Sequence, residues 1–341
     1  MKVYELQDAS GIAGLNLVDR PIPVCGANDV LVRIRAITLN YRDLLTVKGR
    51  YGARQKFPLV PASDCAGVIE EVGTNVTKFR RGDRVIASFF EKWVGGDPTT
   101  EKLSRALGGS VDGVLSEYRL FAEESLVGAP LHLSDEEAAA LPCAGLTAWC
   151  AVVKFGGVGP ADTILTQGTG GVSLFALQFA KASGAQVIAT SSTEEKIAKL
   201  KTMGANKTIN YNKVPEWGKL AREMTGSRGV DLVVEVGGVG TLNESIRATR
   251  IGGCIALIGV LAGGAADDLR LPLIVMQQQR IQGVTVGSID DLRRMVAAVS
   301  NNKIRPVIDK VFPFEDAKAA FEHMASGKHV GKVAVAFKGN A

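Results

Sequence analysis

The sequence predicts an α/β protein of two domains, one β-rich and one a doubly wound parallel sheet. Three observations carry this. The chain has 341 residues, 46% hydrophobic and 22% charged, the balance of a globular protein with room for two domains of ordinary size. Its 39 glycines are in excess and follow no period, which implies many tight turns. From Ser134 onward, short apolar runs alternate with amphipathic segments, as parallel strands do when helices cover both faces of their sheet.

Residues 1–133 read as mostly β. Strands are expected over 30–36 and 65–73, and a turn at 80–83 leads into a strand ending at 87. Residues 90–113 are polar and Gly-rich, and read as a loop or small lobe. Ser134-Asp135-Glu136-Glu137 is a capping box before an Ala-rich helix. Strands follow at 163–167, 186–190, 207–210, 230–236 and 254–260, with one more at 281–286. Helices lie between them at 171–183, 193–203, near 215–225 and near 240–250. Two amphipathic helices and a final strand, 332–337, complete the chain. The expected division is 134–287 for the parallel sheet, and 1–133 with 288–341 for the β-rich domain.

Composition excludes several function classes. The net charge of +5 is spread along the chain without a basic stripe, so nucleic acid is not an expected partner. No apolar run is long enough to cross a membrane, and Met1-Lys2-Val3-Tyr4-Glu5 is too polar for a signal peptide. Cys25, Cys65, Cys143, Cys150 and Cys254 are scattered and odd in number, as expected of reduced thiols in a cytoplasmic protein. His132, His323 and His329 share no ligand spacing. No G-x-S-x-G elbow and no G-K-[ST] turn is present, so serine hydrolysis and nucleotide triphosphate hydrolysis have no support.

The strand at 163–167 runs into Gly168-Thr169-Gly170-Gly171-Val172-Ser173 and then a helix. Glycines there let the backbone reach a pyrophosphate, and the helix N-terminus faces its charge with free N–H groups. Ser173 stands where the fingerprint has its third glycine. After the second strand, Thr190-Ser191-Ser192-Thr193-Glu194-Glu195-Lys196 lacks the acid that would bind a ribose 2′-hydroxyl. Ser191, Ser192 and Lys196 suit a 2′-phosphate. Ser192 with Glu195 also reads as a capping box, and both roles are compatible.

With Pro58-Leu59-Val60-Pro61, Gly67-Val68-Ile69, Gly82-Asp83-Arg84-Val85, Leu141-Pro142-Cys143-Ala144-Gly145, the Gly-rich turn and the closing Gly327-Lys328-His329-Val330-Gly331-Lys332-Val333, the chain resembles the medium-chain dehydrogenase/reductase superfamily over its whole length. It is most similar to the zinc-free, quinone-oxidoreductase-like branch. The resemblance implies a GroES-like catalytic domain beside a Rossmann domain. It puts Lys196 and Tyr211 at positions that bind the 2′-phosphate, hence NADP(H). It puts Thr147 beside the nicotinamide, and Gly237, Gly238 and Gly259 on loops crossing the cofactor.

The zinc ligands of the family fall on Asn40, Ser63 and Cys143, with Asp64 in place of an adjacent Glu, and residues 90–113 lack the four cysteines of its structural zinc loop. Neither metal site is expected. Arg42 replaces a proton-relaying Ser or Thr. Tyr51, in Gly49-Arg50-Tyr51-Gly52, matches a proton-donating Tyr of enoyl reductases. The expected pocket comprises Asn40, Tyr41, Arg42, Tyr51 and Ser63. Tyr41 and Tyr51 carry protons to donate, Asn40 binds the nicotinamide ribose or the substrate, and Arg42 either pairs with Asp43 or Asp64 or meets the substrate. The implied activity is metal-free, NADP(H)-dependent hydride transfer to a small electrophile: a quinone, an activated alkene or a carbonyl. The alternatives are a zinc-free secondary alcohol dehydrogenase and a non-catalytic NADPH sensor. A homodimer is expected through the strand at 281–287.

Overall fold

The chain divides into two units, Met1–Leu146 with Gly287–Ala341 and Thr147–Val286. The computed structural model describes residues 1–51, 55–260 and 268–337. Gly52 of the Tyr51 motif lies outside the described residues.

The first unit opens with an antiparallel pair, β1 (Lys2–Leu6) and β2 (Leu15–Asp19). Then come β3 (Asp29–Thr38), α1 (Tyr41–Val47), β4 (Asp64–Val72), β5 (Arg84–Ala87), β6 (Tyr118–Ala122), β7 (Leu126–Gly128) and α2 (Asp135–Ala139). The capping box forms as read: Ser134 Oγ accepts Glu137 N at 3.2 Å, and the Glu137 carboxylate accepts Ser134 N at 2.9 Å. The helix itself is short. It gives way to a wide turn at Leu141–Gly145, where Pro142 has no N–H to continue the ordinary ladder. Thr38 Oγ1 donates to Ala139 O at 3.0 Å and Arg84 pairs with Asp135 at 2.6 Å. These contacts tie the segment to β3 and β5, and the first unit accordingly runs past the expected division at 133/134.

The second unit holds all but the first residue of α3 (Leu146–Trp149), then β8 (Thr163–Gln167), α4 (Gly171–Ala182), β9 (Gln186–Ser191), α5 (Glu194–Thr202), β10 (Lys207–Asn210), α6 (Trp217–Met224), β11 (Val230–Glu235), α7 (Val239–Ala248), β12 (Thr249–Leu257), α8 (Leu271–Met276) and β13 (Arg280–Gly283). The six strands form one parallel sheet in the order β10-β9-β8-β11-β12-β13. This is the doubly wound order, and its switch point lies between β8 and β11. Every residue of β11 is buried, as a central parallel strand requires. Leu165, Ile188, Val233 and Ile255 pack against Trp217, Leu242 and Ile246 in the core.

The chain returns to the first unit through α9 (Ile289–Asn301), β14 (Ile308–Pro313), α10 (Ala317–Ala325) and β15 (Lys332–Ala336). β15 lies between β14 and β3 in a seven-stranded sheet ordered β14-β15-β3-β4-β5-β7, with β6 also pairing β3. Among the described residues no helix is long and apolar enough to cross a membrane.

Candidate active site

In the second unit the Gly-rich turn sits at the carboxyl end of β8. Gly168 has φ +74°, a left-handed conformation that favours glycine, and its N–H donates to Thr190 O at 2.7 Å. Gly170 caps α4, whose first residues are Gly171 and Val172, with no acid in its first turn. The helix terminus is left electropositive, as a pyrophosphate site needs. Buried Ser173 donates to Gln167 O at 2.6 Å, so the residue in the third-glycine position braces helix to strand. Thr169 is buried, as is Thr147, whose Oγ1 donates to Thr285 O at 3.3 Å.

Beyond β11, the loop through Gly237 and Gly238 hangs on a buried carboxylate. Glu235 Oε1 accepts Gly237 N at 2.7 Å, Gly238 N at 2.9 Å and Thr241 Oγ1 at 2.5 Å. Its Oε2 accepts Gln167 Nε2 at 2.7 Å and Ser245 Oγ. Gln167 Oε1 in turn accepts Val236 N at 3.2 Å. After β12, a methyl on Gly259 would lie 1.8 Å from Val236 O, so only glycine fits between these two loops.

The residues expected to receive a 2′-phosphate lie where β9 and β10 run side by side, with Asn210 opposite Ser191. The Ser191 hydroxyl is buried and has no hydrogen-bond partner among the described residues. Tyr211 N donates to Ser191 O at 3.1 Å, and the Tyr211 side chain is part-exposed. The expected cap is corrected by one residue. Thr193, not Ser192, caps α5, its Oγ1 accepting Lys196 N at 3.3 Å; the extended Thr193 backbone lets its own hydroxyl turn back onto the helix. Glu194 is engaged by Lys213 at 2.9 Å and Asn210 at 2.7 Å, and these partners, Lys213 first, hold its carboxyl below the usual range.

The first unit gathers most of the expected catalytic set. Arg42 and Thr46, one turn apart on α1, both reach Gly108 O, at 2.8 and 3.2 Å. Arg42 Nη1 also donates to Leu107 O at 2.8 Å and to Asp43 at 3.1 Å. The segment read as a loop or small lobe thus holds the guanidinium. Of the two pairings considered for Arg42, Asp43 is realised. Arg42 is only 8% exposed, yet its Nε and Nη2 have no well-formed partner among the described residues. Its guanidinium carbon lies 4.0 Å from the centre of the Tyr51 ring and 5.0 Å from that of Phe89, a cation–π arrangement. Burial pushes the Tyr51 phenol above its ordinary value, against the opposing pull of Arg42. Tyr41, by contrast, is 45% exposed.

Ser63 Oγ donates to Asp64 Oδ1 at 2.8 Å, and Cys143 N to Asp64 Oδ2 at 3.3 Å. Burial, reinforced by Asp64, pushes the Cys143 thiol well above its ordinary value, which disfavours the thiolate a metal or a nucleophilic role needs. Asn40 N donates to Asp43 Oδ2 at 2.7 Å, while Asn40 Nδ2 is buried without a partner among the described residues.

Two buried charged residues of the candidate site were not singled out from sequence. Lys332 heads β15 and is buried, with Nζ 2.8 Å from Leu39 O, bonded to Asn40 Oδ1 and 3.6 Å from Asp64 Oδ2. Its signal was a lone cation opening an apolar strand, Lys332-Val333-Ala334-Val335-Ala336. Glu235 gave a similar signal, a single acid closing Val233-Val234 before two glycines. A buried charge in either place needs partners.

Comparison with known proteins places both units. Residues 26–131 match the alcohol dehydrogenase GroES-like domain, and residues 171–301 match a domain described as zinc-binding dehydrogenase. A zinc-type alcohol dehydrogenase-like protein of Schizosaccharomyces pombe is 45% identical over 89% of this chain and 90% of its own length. An acryloyl-coenzyme A reductase of Sulfurisphaera tokodaii is 31% identical over 94% of this chain and 96% of its own. A crystal structure ascribed to an alcohol dehydrogenase of Sinorhizobium meliloti 1021 superposes with a TM-score of 0.92 at 40% identity, covering 98% of each chain.

Proposed function

The chain belongs to the medium-chain dehydrogenase/reductase superfamily, an oxidoreductase family, and from that membership we propose that it is a metal-independent, NADP(H)-dependent reductase of electrophiles whose reacting carbon is conjugated to oxygen: activated alkenes first, with quinones and carbonyls in the same class. One observation carries the reading. Buried donors on Arg42 and Asn40 that have no well-formed partner among the described residues, with the Tyr51 phenol against Arg42, lie in the part of the first unit onto which the resemblance puts the family's zinc ligands.

A zinc ion does not fit this donor set. Asn40 and Ser63 are weak ligands, Ser63 is committed to Asp64, and burial disfavours the Cys143 thiolate. Among the described residues no group of three or more His, Cys, Asp or Glu side chains is placed to hold a metal. Charge stabilisation falls instead to preorganised hydrogen-bond donors, which act strongly in a water-poor site. The dinucleotide fits better: the Gly168 turn, the electropositive start of α4 and the Ser191 hydroxyl match a phosphorylated dinucleotide. When bound, a reduced nicotinamide supplies hydride. Arg42 and Asn40 receive the oxygen that gains charge, and Tyr51 supplies the proton. The one S. tokodaii relative named above acts on an acryloyl thioester by its name, and an alkene conjugated to a carbonyl is the electrophile these donors suit.

Steady-state NADPH oxidation against a panel of enones, quinones and ketones, with zinc measured in the same preparation, tests the proposal. Turnover with near-zero zinc, unchanged by a chelator, is expected. Stoichiometric zinc that survives dialysis would overturn the metal-independent reading, and binding of NADPH without turnover of any acceptor would favour a sensor.

The cofactor choice has its own test. A charged contact to phosphate contributes about 1.5–3 kcal/mol, so Lys196→Ala should weaken NADPH by about tenfold or more and leave NADH nearly unchanged. Equal losses in titration calorimetry would assign Lys196 to the fold.

We also propose that the protein pairs with a second copy through β13. That strand is the sheet edge, and an exposed edge is ordinarily covered or paired. Apolar side chains are exposed nearby in sequence and sheet order: Ile251, Leu271, Val275, Met276 and Ile281. Light scattering should give a dimer mass at micromolar concentration, and Ile281→Lys should shift it toward monomer. A monomer for the unsubstituted protein would refute the pairing.

A further inference from the structure

Lys332 is a buried cation outside both the expected catalytic set and the cofactor set. β15 runs antiparallel to β3, with Ala334 opposite Thr38, and Leu39 N donates to Val333 O at 3.0 Å. This register delivers the Lys332 side chain to the end of β3, where Leu39 O, Asn40 Oδ1 and Asp64 Oδ2 surround Nζ. An ammonium has three donors and no acceptor. The Asn40 amide can face it only with Oδ1, and Nδ2 is thereby turned away from it. That Nδ2 is the atom left buried without a partner among the described residues. Buried amide donors are nearly always satisfied, so an unsatisfied one beside a reactive centre marks a place for a missing acceptor.

Resting on the reading above, that reduction proceeds without a metal, we propose that Lys332 is a positioning residue that fixes and polarises the Asn40 amide so that Nδ2 donates to the carbonyl oxygen of the electrophile. The cation pulls electron density toward Oδ1 and makes the N–H a stronger donor. A positive charge of the protein itself thus acts through one amide on the oxygen that gains charge as the β-carbon accepts hydride. The substrate class follows: the acceptor must carry a carbonyl oxygen in conjugation with the reacting alkene. A donor of this kind discriminates against alkenes that lack the oxygen, because the buried N–H then stays unpaired.

4-Nitrophenolate, a stable oxyanion resembling an enolate, is the probe, bound to the NADP⁺-loaded protein and followed by its absorbance. Lys332→Met should raise its Kd by about tenfold or more while the Kd of NADPH stays within about twofold, and Lys332→Arg should restore most of the affinity. Because Lys332→Met leaves Asp64 without its cation, Asn40→Asp serves as the second variant. It keeps a partner for Lys332 and so favours folding, but it replaces the donor by an acceptor and should abolish phenolate binding. Parallel losses of phenolate and NADPH would assign Asn40 to the cofactor and overturn the proposal. Unchanged phenolate binding in Asn40→Asp would overturn it as well. Enone turnover by the unsubstituted protein, free of zinc, reports separately on the metal-independent reading.

Discussion

Replacing Tyr51 with phenylalanine should lower kcat for an enone by about 10²–10⁴-fold while the affinity for NADPH stays close to that of the unsubstituted protein. The ring is kept, so its stacking against the Arg42 guanidinium at 4.0 Å survives, and only the hydroxyl is lost. The phenol lies above its ordinary value because of burial, with Arg42 pulling the other way. It is therefore fully protonated at neutral pH, which suits a proton donor and not a base. The carbon of an enolate is a far stronger base than a phenolate, so the transfer runs downhill even from a weakened acid. The adjacent guanidinium then stabilises the phenolate that remains. The pH dependence follows with the same sign: enone kcat should be flat through neutrality and fall only above about pH 10, where the phenol ionises. Quinone reduction should suffer less, because a reduced quinone can take its proton from water. Tyr41→Phe is the control, since that side chain is 45% exposed. Full enone activity in Tyr51→Phe, with loss in Tyr41→Phe, would move the acid to Tyr41; no effect in either would leave the proton to solvent.

The fold was legible in the sequence wherever an element carries its own period or punctuation. β8 and β10 match the expected residues, and α4 and β9 agree within one residue, because short apolar runs bounded by Gly or capping residues leave little freedom. β1, β2, β6 and β14 were not foreseen. Their alternation is weak, and they are strands by virtue of partners far away in sequence: β14 exists because β15 pairs with it. The site divides in the same way. The Gly168 turn is a local device and reads directly. The cap of α5 was displaced by one residue, since Ser192 and Thr193 are chemically alike and only the backbone decides between them. Arg42 was legible as a residue but not in its setting. The carbonyls of Leu107 and Gly108 that grip it come from a segment with no period at all. Lys332 meets Asn40 only through the register of β15 on β3, and nothing near either residue in sequence announces that meeting.

The largest stability effect in the second unit should come from Glu235. Glu235→Ala removes one acceptor from each of Gly237 N, Gly238 N, Thr241 Oγ1, Gln167 Nε2 and Ser245 Oγ. Gly237, Thr241 and Gln167 retain Gln167 Oε1, Gly238 O and Ser245 Oγ respectively, whereas buried Gly238 N and Ser245 Oγ lose the acceptor they have among the described residues. Stranding buried donors costs roughly 1–3 kcal/mol each before relaxation, so a loss of about 3 kcal/mol or more in urea denaturation is expected, with cooperative unfolding of this unit. Glu235→Gln is subtler. Its Oε1 can still accept from Gly237, Gly238 and Thr241, but its Nε2 then faces the Gln167 amide N–H, donor against donor. Turning the Gln167 amide over does not help, because Gln167 Oε1 accepts Val236 N. The second substitution Gln167→Glu removes that conflict: Glu at 167 accepts both Val236 N and the new amide at 235, with the total charge unchanged. Each single exchange should therefore destabilise the unit and raise the Kd of NADPH, since the loop through Gly237 and Gly238 loses its anchor. The double exchange Gln167→Glu with Glu235→Gln should recover most of both. A coupling energy of about 1 kcal/mol or more in that cycle is expected for residues sharing one buried network. Additive losses would show that the carboxylate at 235 is needed for itself, as an anion, and not as one half of an exchangeable donor–acceptor pair.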